Sequence, residues 1–136
     1  MISTGSRDWG AAAVVTLLEP KELVLLRVER LGEEILRRNM LWFHLPIVDV
    51  SIPDERFEGQ WAVAGEELRS ILRRRLDVLV QCRGGLGRAG TIAARLLIEL
   101  GMEPTKAIEH VRAVRPGAIE TNDQDRFVKS IGAAHK

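Results

Sequence analysis

A chain of 136 residues has the size of one domain, and 46% hydrophobic content is enough to build a core, which excludes a mainly disordered chain. Twenty basic against nineteen acidic side chains give a net charge of +1, which excludes a general nucleic-acid binder. A single cysteine, Cys82, excludes an internal disulfide and a multi-cysteine zinc cluster.

Residues 1–9 are small and polar and are expected to be disordered, ahead of one domain that takes up the rest of 1–136. Residues 11–18 form a continuous apolar run of strand length, interrupted by Glu19 and Pro20. Pro20 suits the first turn of a helix carrying Leu23, Leu25 and Leu26, and a second helical piece runs to about Arg38. Residues 40–45 read as another buried strand, closed by Pro46. Phe57, Trp61, Ala64, Leu68 and Leu72 then recur at spacings of three and four, one face of a helix. Residues 77–81 are a short β-branched strand, and residues 91–100 are apolar almost all round, so that helix should be central. Pro104 opens a helix with Ala107, Ile108, Val111 and Val114 inward, and a last helix runs from Thr121 to about Ala134. Strands alternating with helices predict an α/β fold: a central, mostly parallel sheet flanked by helices, with a helical C-terminal third. No apolar run reaches the roughly 18 residues of a membrane span and no leader pattern opens the chain, so a cytoplasmic location without a membrane partner is expected.

The segment from Cys82 to Arg88 follows a strand and opens the central helix. Glycines 84, 85 and 87 allow successive N–H groups to turn inward, and the helix N-terminus adds positive partial charge, so the loop suits a phosphate. Backbone groups of Arg83, Gly84, Gly85, Leu86 and Gly87 would line it. A cysteine at its mouth feels the same field, which favours the nucleophilic thiolate. Arg88 can fold back and grip two phosphoryl oxygens with its planar fork. A rival pattern overlaps: residues 85–90 satisfy G-x-G-x-x-G, the dinucleotide fingerprint. That motif needs a second strand ending in an acidic residue roughly 20 residues on, where residues 105–115 read as helix.

With HLPIVD before it and VRAVRPGAIETNDQ after it, CRGGLGRAGT closely resembles small dual-specificity phosphatases of the archaeal and bacterial type, and the cyclin-dependent-kinase-associated phosphatase. The resemblance covers about residues 10 to 130. It implies a phosphotyrosine-phosphatase-like fold and metal-free hydrolysis of phosphomonoesters, without cofactor, through a phosphocysteine. It makes Cys82 the nucleophile, Arg88 the phosphate ligand, Asp49 the general acid and Gln124 the glutamine that orients the hydrolytic water. The implied substrate is a protein or peptide bearing phosphotyrosine, with phosphoserine or phosphothreonine as further candidates.

Independent readings stand beside these. Asp49 lies just past a predicted strand end, where α/β sheets place active-site loops. Asp54, its competitor, follows Pro53 and precedes a helix, the position of an N-cap. Thr121 and Gln124 form a capping box for the last helix. His44 reads as a strand-end packing residue, and the run from Arg73 to Arg75 as a solvated helix end. Relatives carry histidine where Gln81 stands, and serine or threonine where Ala89 stands. Both differences keep open a catalytically weak phosphate-binding module, and a non-protein phosphomonoester is a further alternative substrate. Relatives also carry an extra strand and helix before residues 11–18, which implies a shortened N-terminal part. The sheet edge so bared makes an edge-strand dimer the alternative to a monomer.

Overall fold

The computed structural model describes residues 1–4, 10–83 and 87–132. Its elements in chain order are β1 (Ile2–Thr4), β2 (Ala13–Thr16), α1 (Pro20–Leu25), α2 (Leu31–Arg37), β3 (Leu41–His44), α3 (Glu55–Arg73), β4 (Val78–Gln81), α4 (Gly87–Glu99), α5 (Pro104–Val114) and α6 (Asn122–Lys129). The four described strands are all parallel, in the order β1-β4-β2-β3. Val14 pairs with Leu79 and Trp42, and Thr16 with Gln81 and His44, so the C-terminal ends of these strands meet at one edge. Residues leaving β2, β3 and β4 therefore converge there, where α/β sheets carry their sites.

The two-residue period of the strands splits the core. Ala13, Val15, Val78 and Val80 face α3 and α4, packed on Phe57, Trp61, Leu68, Ile92 and Leu96. Val14 and Leu79 face the other way, onto Ile35 of α2 and Met40. Behind α4 a second cluster joins it to α5 and α6 through Ala94, Ile98, Ala107, Val111, Ile119 and Val128. The α/β class, the parallel sheet and helices on both faces are as expected.

Several details differ. Residues 2–4, expected to be disordered, form edge strand β1, with Ile2 paired to Val78; three residues with one large apolar side chain are too short to show a period. Residues 5–9 lie outside the described residues, as do 133–136, and α6 ends at Lys129. The strand at 40–45 is an edge rather than a buried strand, and Leu41 is 51% exposed. Val114, expected to point inward, is 65% exposed at the last position of α5. Helix α4 is central and buried as expected, and its charged members are buried with it. Its buried Arg95 bonds Glu58 through two contacts of 2.7 Å and Glu99 at 3.0 Å, while Glu99 also accepts from Trp61 and Arg69. This network fastens α3 to α4, and Arg95 also lies over the Phe127 ring of α6.

Candidate active site

Cys82 is the first residue beyond β4, half-buried, and its Sγ accepts a hydrogen bond from the Ala89 N–H in the first turn of α4 at 3.2 Å. The strand thus delivers the sulfur to the positive end of a buried helix. Gly84, Gly85 and Leu86 lie outside the described residues; Arg83 is exposed. Gly87 is a close-approach position. A Cβ there would come within 2.8 Å of a Glu120 oxygen and 3.1 Å of the Gln124 Oε1.

Arg88, the second residue of α4, is 1% exposed. Its two terminal nitrogens reach the Glu22 carboxylate at 2.7 and 2.9 Å, a bidentate pair. One of them also donates to the Ile47 carbonyl at 2.9 Å, and the other lies 3.5 Å from the Asp49 carboxylate. The Nε is buried and has no hydrogen-bond partner among the described residues. Glu22 also accepts from the Glu19 N–H at 3.0 Å, closing the capping box of α1. Its carboxyl is held below the ordinary value of 4.5, first by the Arg88 hydrogen bonds and then by the Glu19 amide, against burial. Burial works against the Arg88 charge, yet the Glu22 partnership raises its pKa.

Asp49 and Asp54 separate cleanly. Asp49 sits above Arg88 with a side chain 57% exposed, its Oδ1 accepting from the Val50 N–H at 2.9 Å. Asp54 is the N-cap of α3, accepting from the Phe57 N–H at 2.9 Å. His44 stacks on Trp42 and bonds the Leu18 carbonyl through Nε2, a packing position.

Residues 7–128 match the family described as "Swiss Army Knife protein, DSP-PTPase phosphatase domain". The chain belongs to this phosphatase family. It is 36% identical over 110 residues to cyclin-dependent kinase inhibitor 3 of Rattus norvegicus, covering 79% of this chain and 50% of that protein. It is 30% identical over 93 residues to a probable protein tyrosine phosphatase type IVA A of Dictyostelium discoideum, covering 68% and 54%. It spans about half the length of these relatives. Among solved structures, kinase associated phosphatase with its catalytic cysteine replaced by serine superposes with a TM-score of 0.77 at 30% identity, covering 88% of this chain and 67% of that one. The active form of Tk-PTP superposes with a TM-score of 0.74 at 32% identity, covering 90% and 78%.

Within this phosphatase domain, Cys82 and Arg88, at the two ends of one loop, and Asp49, from the loop after β3, converge at one end of the sheet. Gln124 is fully buried beside them and keeps the capping box expected of it. Glu22 is a site residue that no catalytic motif in the sequence marks. Its signal was present in the spacing Glu19-Pro20-Lys21-Glu22, an acidic residue three positions after a helix-capping one. Nothing local, however, announces a partner 66 residues away. Gln81, just before the cysteine, accepts from the Thr16 hydroxyl at 3.1 Å, and that hydroxyl accepts from Trp42 Nε1 at 2.8 Å.

Proposed function

We propose that this chain hydrolyses phosphomonoesters on proteins, phosphotyrosine first and phosphoserine or phosphothreonine in addition, through a phosphocysteine intermediate. The observation that carries the proposal is the state of Arg88. It is a fully buried guanidinium, clamped by Glu22, and its Nε has no hydrogen-bond partner among the described residues. A buried, unmet N–H costs about 1–3 kcal/mol, and a phosphoryl oxygen accepting from it would remove that cost. Val48, Val50 and Ile52, all exposed around Asp49, favour a protein surface over a small ionic substrate.

In the first step the Cys82 thiolate attacks phosphorus while Arg88 and the loop amides carry the charge of the phosphoryl oxygens. The bond to the leaving oxygen breaks as Asp49 gives that oxygen its proton. In the second step Asp49, now a carboxylate, takes a proton from water; the water oxygen bonds phosphorus and the thiolate departs. Ala89 brings no hydroxyl to the departing sulfur, and its N–H is the donor that remains. Breakdown of the intermediate is therefore assigned as the slower step.

Asp49→Asn and Asp54→Asn separate the acid from its neighbour. On an alkyl or phenyl phosphate, Asp49→Asn should lower kcat/KM by about 10²-fold or more, and much less on an activated aryl phosphate. Asp54→Asn should show no such leaving-group dependence. Leaving-group dependence in Asp54→Asn instead would reverse the assignment.

A further inference from the structure

The loop carrying Asp49 has a conformation that its own sequence opposes. Val50, the residue after the acid, has a φ of 55°. A β-branched side chain is a true outlier in this left-handed region, at about 1–3 kcal/mol. Such a conformation persists only where surrounding contacts dictate it.

Those contacts flank Asp49 on both sides. Two residues before it, the Ile47 carbonyl is held by Arg88 at 2.9 Å. Two residues after it, the Ser51 carbonyl accepts from Gln124 Nε2 at 3.1 Å, across 73 residues of chain. Gln124 is anchored for this. Its Oε1 accepts from the Glu120 and Thr121 N–H groups at 2.9 and 3.1 Å, and its own N–H bonds the Thr121 hydroxyl. Arg112 in turn holds the Ala118 and Ile119 carbonyls, both at 2.9 Å, just upstream. The amide therefore has both acceptor sites filled and one donor committed to the acid loop.

We propose that Gln124 is a positioning residue for Asp49: its side chain ties the start of α6 to the acid loop and keeps the carboxyl over Arg88. The resemblance to relatives implied a different role, orienting water in the second step. The two roles act on different steps, and kcat/KM reports only events up to phosphorylation of the cysteine.

The proposal rests on the phosphatase reading above, and Gln124→Glu tests it. A carboxylate still accepts from Glu120 and Thr121, so α6 keeps its cap, but it cannot donate to Ser51. Gln124→Asn serves as a second, neutral variant that withdraws the amide by one methylene. For both, kcat/KM is measured on an activated aryl phosphate and on an alkyl phosphate, in the wild-type and Asp49→Asn backgrounds. The poor leaving group should lose about tenfold more than the activated one, and the difference should vanish in the Asp49→Asn background. Equal losses on both substrates, or a loss in kcat with kcat/KM kept, would overturn the latch. A flat Asp49→Asn profile overturns the acid assignment and the latch together. A leaving-group-dependent Asp49→Asn profile with a uniform Gln124 loss overturns the latch alone.

Discussion

Arg88 carries its charge where water does not reach, so Glu22 matters to the fold and to the phosphate site at once. Removing one member of a buried pair leaves the other charge uncompensated, which typically costs about 3–5 kcal/mol. Glu22→Gln keeps the shape and the acceptor for the Glu19 N–H but gives up the charge. Urea unfolding at neutral pH should show a loss of that size. The pH dependence has a definite sign. Because the folded pKa of Glu22 lies below its ordinary value of 4.5, its contribution is complete above that value and disappears as pH falls through the lowered one. Wild type should therefore lose stability in acid more steeply than Glu22→Gln. Equal slopes, or a neutral-pH loss under about 1 kcal/mol, would mean that the pair is no stronger than a surface contact.

At the scale of elements, α3 and α4 are joined by apolar packing and by the Arg95 network. Arg95→Met should cost about 1.5–3 kcal/mol, the loss of its charge-assisted hydrogen bonds, since Glu99 keeps Arg69 and Trp61. Adding Glu99→Gln, which takes the carboxylate from Arg69 as well, should cost more again; a double variant as stable as the single one would contradict this. Urea denaturation of both variants measures it. The network was hidden in the sequence because the pattern at residues 91–100 is dominated by its apolar members, and charge complementarity across helices leaves no local period. Elements with a strong period or a clear stop were legible: α3 from its spacing, β4 from its β-branched run, α5 from Pro104. β1 was not, being three residues whose pairing with β4 is wholly tertiary. The candidate site divides in the same way. Cys82 and Arg88 bracket one strand–helix loop and Asp49 follows a strand end, placements that local order shows; the Glu22 pair and the Gln124 contact to Ser51 depend on elements meeting in space.

For the whole molecule, the topology does the chemical positioning. A parallel sheet brings the ends of β2, β3 and β4 to one edge, and the chain leaving each supplies Glu22, Asp49 and Cys82 in turn. Helix α4 runs back from the same edge and seats Arg88 among them. Among the described residues no helix is long and apolar enough to cross a membrane. The central claim is covalent catalysis at Cys82, and rapid acid quench of the chain turning over an activated aryl phosphate, followed by peptide mass analysis, tests it most directly. Within the first turnover, the peptide containing Cys82 should gain the mass of one phosphoryl group, in step with a burst of released phenol. A burst-free reaction with full steady-state turnover and no phosphoryl group on that peptide would contradict the account.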